Sequence, residues 1–208
     1  MSRARLPVLY AIVDPLDTNR TPIDLADAYL AGGARLLQLR LKGASSRELY
    51  TVALAIRAAT RAAGALFVVN DRPDVAAAVE ADGVHLGQDD VPVAVARAVL
   101  GPDRFVGVST HDLDEARAAI AAGADYLGVG PVYDTTSKVG ALPARGFDLV
   151  RVVRALTDRP LVAIGGIDAT TAPAVRDAGA DAIAMIGALA RATDPASAVR
   201  TVLAALDG

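Results

Sequence analysis

One unit recurs eight times along this chain: a short apolar run, a brief polar connection, then an alanine-rich segment with helical spacing. The apolar runs are Val8 to Val13, Leu36 to Lys42, Leu66 to Asn70, Gly83 to Leu86, Phe105 to Ser109, Tyr126 to Val132, Leu161 to Ile164 and Ala182 to Ile186. Each reads as a strand. Between and after them, helices are predicted over Ile23 to Ala31, from Ser45 to the stop at Gly64, over Pro73 to Ala81, Pro92 to Leu100, Leu113 to Ala122, Phe147 to Leu156, Thr170 to Ala178 and Asp194 to Leu206. Connections this short force each strand to run parallel to the one before it, and eight such units in 208 residues predict a single (β/α)8 TIM barrel domain spanning 1–208. Internal echoes agree: AAGADYLGVG from Ala121 and DAGADAIAMIG from Asp177 are the same helix-stop-strand unit, and AGGARLLQLR from Ala31 is a weaker copy. An open doubly wound sheet would want a Gly-rich turn after its first strand, and Asp14-Pro15-Leu16-Asp17 is nothing like one.

Composition narrows the function classes. The chain is 53% hydrophobic but only 4% aromatic, so its core is aliphatic and alanine-rich. A net charge of -3 gives no basic face for nucleic acid or an anionic membrane surface. With no cysteine, disulfides, thiolate metal sites and thiol nucleophiles are excluded, which fits a cytoplasmic location. The apolar run near Met1 is short and ends at Asp14, so it reads as a first strand rather than a signal peptide, and no run is long enough to span a membrane.

In a barrel of this kind the site lies at the carboxyl ends of the strands, and that rule selects a coherent polar set. Gln38, Arg40 and Lys42 are spaced by two, which would put all three on one face with two cations aimed at one point. Asn70-Asp71 and Gln88-Asp89-Asp90 end the next two strands. Asp71 and Asp90 beside those cations suit a hard divalent ion such as magnesium held against an anionic substrate, although each also stands where a helix N-cap would. The fifth strand delivers Ser109-Thr110-His111-Asp112; Ser109 could donate into the mouth or cap the next helix, and His111 is a candidate acid or base, although a lone histidine there, like His85 within the fourth strand, is more often structural. The sixth ends in Asp134-Thr135-Thr136-Ser137-Lys138, three hydroxyls and a cation suited to phosphate oxygens. Gly165-Gly166-Ile167 and Ile186-Gly187-Ala188 follow the last two strands, where backbone N–H groups commonly receive phosphate. Two anion subsites emerge. One combines Arg40, Lys42, Asp71, Asp90 and Lys138 and suits a metal-bridged diphosphate; the other combines Thr135, Ser137, Gly166 and Gly187 and suits a simple phosphate ester.

Six ordered motifs carry a family resemblance across nearly the whole chain: QLRLK from Gln38, VVNDRPD from Val68, GVHLGQDD from Gly83, GVSTH from Gly107, GVGPVYDTTSK from Gly128 and AIGGI from Ala163. The series resembles thiamine phosphate synthase, within a superfamily that also holds thiazole tautomerase. The resemblance implies coupling of hydroxymethylpyrimidine diphosphate to thiazole phosphate with magnesium (Mg2+), giving thiamine phosphate and pyrophosphate. It further implies a dissociative course: the diphosphate leaves, the aminopyrimidine carries the positive charge, and the thiazole nitrogen captures it without needing a general base. By the same resemblance Gln38 and Asn70 help hold the pyrimidine substrate and its diphosphate, Arg40, Lys42 and Lys138 bind the diphosphate, and Asp71 and Asp90 ligate Mg2+. Ser109 would assist the reacting pyrimidine, while Thr135, Ser137, Gly166, Ile186 and Gly187 would receive the thiazole phosphate. The implied partners are these two small molecules, with no nucleic acid or membrane, and a homo-oligomer is left open.

There are departures from the pattern. Ser137 stands where Thr is usual, keeping the hydroxyl, but Gly187 stands where Ser is common and removes a side-chain donor. The segment GALPARGFDLV after Lys138 also resembles the tautomerase, which uses a histidine at the position of His111. Retention of Arg40, Lys42, Asp71, Asp90 and Lys138 favours the synthase over that isomerase and over a non-catalytic ligand-binding barrel, since unpaired pocket charges cost stability without a ligand.

Overall fold

The computed structural model describes residues 6–137 and 142–207. Eight parallel strands close in sequence order into a barrel, each bonded to its neighbours and the eighth to the first. They are β1 Leu9–Val13, β2 Leu36–Leu39, β3 Leu66–Asn70, β4 Gly83–Leu86, β5 Phe105–Thr110, β6 Tyr126–Val129, β7 Leu161–Ile164 and β8 Ala182–Met185. The helices around them are α1 Pro22–Gly32, α2 Ser46–Ala62, α3 Pro73–Ala78, α4 Val93–Leu100, α5 Leu113–Ala121, α6 Gly146–Leu156, α7 Ala172–Asp177, α8 Gly187–Ala190 and α9 Pro195–Asp207. This is the (β/α)8 barrel expected from the alternation. Two of the differences from the sequence expectation bear on the mouth. An additional four-residue helix, α8, follows the eighth strand, too short to leave a periodic signal. The second strand ends at Leu39 instead of Lys42; only the Arg40 N–H continues its ladder, to the Val13 carbonyl at 3.0 Å.

Side chains alternate between two compartments because successive Cβ atoms point to opposite faces of a strand. Leu9, Ala11 and Val13 join Leu37, Leu39, Phe67 and Val69 in a large core shared with the helices through Leu25, Tyr29, Ile56, Val150 and Val199. The intervening residues Tyr10, Ile12, Leu36, Val68, Tyr126, Val162, Ala182 and Ala184 fill the barrel interior as a second, smaller cluster. Gln38 has this inward parity, paired in register with Ile12 on one side and Val68 on the other.

The amino-terminal rim carries a repeated device. Asp82, one residue before β4, accepts the Phe67 N–H at 2.7 Å and a two-pronged contact from Arg57 of α2 at 2.7 and 3.2 Å. Asp125 before β6 accepts the Val106 N–H at 2.7 Å and pairs with Arg97 of α4. Asp181 before β8 accepts the Leu161 N–H at 2.8 Å and pairs with Arg154 of α6 at 2.8 Å. Each clamp ties a strand, the next strand and the outer helix that precedes the pair. The GAD echo in the sequence is this clamp, and the weaker copy at Ala34-Arg35 lacks the carboxylate. A cavity of about 360 Å3 lies at this rim, lined by Arg57 and Asp82 of the first clamp together with Arg61, Glu80, Asp103 and Arg104. Removing one clamp strands a backbone N–H and a partly buried guanidinium. Asp82→Ala is therefore expected to cost about 2 kcal/mol, a fall of roughly 4–8 °C in calorimetric melting temperature. An unchanged melting temperature would contradict the clamp's role.

Candidate active site

At the carboxyl-terminal mouth the first two strands end in an ion pair. Arg40, just beyond β2, reaches Asp14, just beyond β1, with both side chains largely shielded at 16% and 11% exposure. Lys42 extends further out, 59% exposed, and pairs instead with Asp71. The expectation that Arg40 and Lys42 aim at one point is thus corrected: β2 stops at Leu39, its alternation does not carry to Lys42, and the two cations face different carboxylates.

Asp71 has a backbone unusual for a side-chain-bearing residue, φ 61°, in the left-handed region. Its N–H is bonded to the His85 carbonyl at 2.8 Å, so the turn is fixed by the β3–β4 ladder and the carboxylate is aimed at Lys42. Asp90 closes the turn after β4 by accepting the Gly87 N–H at 2.6 Å. Burial pushes the Asp90 carboxyl above its ordinary pKa, and the hydrogen bond and charge of neighbouring Asp71 add to the effect, partly relieved by the Gly87 N–H and Lys42. The two carboxylates therefore share one place. Neither serves as the helix cap that their positions allowed: α3 and α4 begin from Arg72 and Pro92 without a side-chain cap. Among the described residues, no cluster of three or more His, Cys, Asp or Glu gathers in metal-binding range. Two carboxylates with no nitrogen or sulfur donor are an oxygen-only set, which suits a hard ion that keeps waters and substrate oxygens as its other ligands. A cavity of about 170 Å3 opens beside them, lined by Lys42, Gly43, Asn70, Asp71 and Arg72.

Deeper in the mouth, Gln38 is only 3% exposed and donates to the Tyr10 hydroxyl at 2.9 Å. Ser109 meets His85 Nε2 at 2.9 Å instead of capping α5, a task performed by Asp112. His111 is tied through Nδ1 to Glu115 at 2.8 Å at the start of that helix.

Across the mouth, the loop after β6 folds against the ends of β7 and β8. Thr135 Oγ1 accepts the Ser137 N–H at 3.2 Å. Gly166, φ 62°, leaves no room for a side chain, since a Cβ there would lie 2.4 Å from the Asp134 carbonyl. Ile186 and Gly187 begin α8. A Cβ on Gly187 would lie 2.8 Å from Ser137 Oγ and 2.7 Å from an Arg191 guanidinium nitrogen, so hydroxyl and cation both border the volume this glycine leaves. Arg191 is otherwise paired with exposed Asp17 at 3.0 Å. Lys138, expected among the cations, lies outside the described residues. Sequence reasoning missed Asp14, Tyr10, Tyr126 and Arg191. Only the inward parity of Tyr10 with Ile12 and Gln38 held a signal for any of them.

Comparison with known proteins places the chain in a family. Residues 9–189 match the family model described as thiamine monophosphate synthase. The chain is 47% identical over 197 residues to thiamine-phosphate synthase of Chloroflexus aurantiacus, covering 94% of this chain and 91% of that one. It is 48% identical over 193 residues to the Moorella thermoacetica enzyme of the same name, with 92% of each covered. The solved thiamine phosphate pyrophosphorylase from Pyrococcus furiosus superposes with a TM-score of 0.87 at 38% identity, covering 96% of this chain and 95% of that one. A 3-hexulose-6-phosphate synthase, at 20% identity and TM-score 0.72, shares the fold alone. This chain belongs to the thiamine monophosphate synthase family, and its activity is that of a thiamine-phosphate synthase, a transferase acting on small molecules.

Proposed function

We propose that hydroxymethylpyrimidine diphosphate and thiazole phosphate occupy adjoining halves of the mouth, the first over β2 to β5 and the second over β6 to β8. The observation that carries this reading is the contrast between the halves: Lys42, Asp71 and Asp90 cluster in one, and Ser137, Gly187 and Arg191 meet in the other. Asp71 and Asp90 would hold Mg2+, which when bound supplies Lewis-acid stabilisation of the charge on the diphosphate. Lys42 and Arg40 offer fixed positive charge to the leaving group as its bond to the pyrimidine methylene breaks. Arg40 has donors to spare beyond its Asp14 contact, because a guanidinium carries five N–H groups. Gln38, Asn70 and Ser109 orient the pyrimidine, and Lys138 joins the diphosphate cations by its place in the motif. On the other side the Thr135 and Ser137 hydroxyls, with the backbone at Gly166, Ile186 and Gly187, receive the thiazole phosphate. Arg191 supplies there the side-chain donor that Gly187 lacks. Held in this way, the thiazole nitrogen attacks the methylene carbon and has no proton to lose, so no general base is assigned. Positions 1–208 are taken as one domain, working in the cytoplasm. No helix of the described residues is long and apolar enough to cross a membrane.

Pyrophosphate release measured with each component omitted in turn tests the reading. Release is expected only when both phosphorylated substrates and Mg2+ are present; turnover of a thiazole isomer without pyrophosphate would contradict it.

Asp90→Asn separates metal binding from folding. Because the Asp90 pKa is raised, its contribution to stability is complete below the ordinary carboxylate pKa and is lost as pH rises through the raised value. At neutral pH the variant is expected to melt no lower than the parent without metal, yet to lose both the thermal shift caused by Mg2+ and the coupling activity. Protonation competes with the cation, so Mg2+ affinity of the parent falls as pH is lowered into that raised range. Surviving Mg2+-dependent coupling in the variant would remove Asp90 from the metal site.

Arg191→Ala is expected to raise KM for thiazole phosphate roughly 10-fold or more, the scale of one charged hydrogen bond, with KM for the pyrimidine diphosphate unchanged in steady-state assays. Equal KM values for both substrates in parent and variant would rule Arg191 out.

A further inference from the structure

Five side chains from five strands form one continuous hydrogen-bonded chain across the barrel interior. Gln38 Nε2 lies 2.9 Å from the Tyr10 hydroxyl, Tyr10 lies 3.0 Å from the Tyr126 hydroxyl, Tyr126 lies 3.0 Å from His85 Nδ1, and His85 Nε2 lies 2.9 Å from Ser109 Oγ. The ends of this chain are the two residues placed against the pyrimidine, and its three middle members have no part in the reaction described above. Space has been cleared for them. A Cβ on Gly107 would sit 2.0 Å from the Tyr126 ring, and one on Gly128 would sit 3.0 Å from the His85 ring. The His85 and Tyr126 rings stack at 5.5 Å with a 28° interplanar angle.

If every buried proton is to have a partner, such a chain has only two consistent polarities, because each hydroxyl owns one proton and a neutral imidazole carries one. An amide nitrogen can donate but not accept, so Gln38 donating to Tyr10 decides which polarity holds. Tyr10 must then give its proton to Tyr126, and Tyr126 must give its proton to His85 Nδ1. The imidazole proton is left on Nε2 and goes to Ser109 Oγ. Ser109, its lone pair engaged, turns its own proton away from His85, while the Gln38 amide oxygen is left as the acceptor at the opposite end. Burial holds both tyrosine hydroxyls above their ordinary pKa, so each keeps the proton that it must pass along the chain.

The geometry points to Tyr10, Tyr126 and His85 as a positioning relay that fixes the proton orientation at its two ends, so that Gln38 presents an acceptor and Ser109 a donor to the bound ring. That pair matches a ring bearing an amino donor and an unprotonated ring nitrogen, as an aminopyrimidine does, and rejects the hydroxy analogue, whose ring presents the opposite pattern. The inference rests on the pyrimidine lying against Gln38 and Ser109.

The direct test is the tautomer of His85, read by nitrogen-15 NMR of the full-length protein with labelled imidazoles. An Nε2–H tautomer at neutral pH is expected; the Nδ1–H tautomer would reverse every bond in the chain and overturn the relay. Tyr126→Phe keeps the ring and cuts the chain. It is expected to mix the two tautomers and to raise KM for the pyrimidine diphosphate about tenfold, with KM for thiazole phosphate unchanged. Unchanged tautomer and unchanged pyrimidine KM in a folded variant would overturn the proposal as well. Failure of the underlying site reading is seen separately: Gln38→Ala and Ser109→Ala would then both leave pyrimidine KM unaltered while His85 of the unsubstituted protein still carries its proton on Nε2, removing the ligand on which the relay acts.

Discussion

The two-residue period of a β-strand is the constraint on which this molecule depends. Closing eight parallel strands forces one parity from each into a single interior, where a polar side chain cannot turn back to water and must find a partner on another strand. Tyr10, Gln38, His85, Ser109 and Tyr126 find one another, and glycines at Gly107 and Gly128 yield the room. A floor of hydrogen bonds thus lies beneath the mouth where an apolar layer would otherwise be. The same parity, followed to the strand ends, delivers Arg40 and Asn70 to the rim.

The two rims use carboxylates in opposite ways. At the amino-terminal end Asp82, Asp125 and Asp181 are each satisfied by a strand N–H and a guanidinium, an arrangement that stabilises closure. At the carboxyl-terminal end Asp71 sits in left-handed backbone, paired with the exposed Lys42, and Asp90 is crowded against it. Like charges held together are unfavourable in the empty protein and become favourable when a cation arrives. Stability is concentrated at the first rim, and the capacity to bind at the second.

Much of this was legible in the residues. The alternation of apolar and alanine-rich segments carried the barrel because each unit is a local pattern, and the strand-end filter picked out Gln38, Asp71, Asp90 and Ser109, which lie at or below the carboxyl-terminal mouth, because position along a strand decides which rim a residue reaches. Partners far apart in sequence were not legible. Nothing in Asp14 points to Arg40, which lies on the next strand, and Tyr10 and Tyr126 inside apolar runs look like ordinary core. Arg191 follows a helix of four residues, below the length at which periodicity speaks, and its meeting with Ser137 depends on a glycine whose effect is spatial. Lys42 was misdirected because pattern alone does not say where a strand lets go of its neighbour.

A crystal structure of this protein with thiamine phosphate, pyrophosphate and Mg2+ bears most directly on the central claim. The account predicts a metal ion touching both Asp71 and Asp90 with pyrophosphate against Lys42, and the ester phosphate of the product beside Ser137, Gly187 and Arg191. Pyrophosphate bound away from the two carboxylates, or both phosphate groups in one half of the mouth, would contradict it.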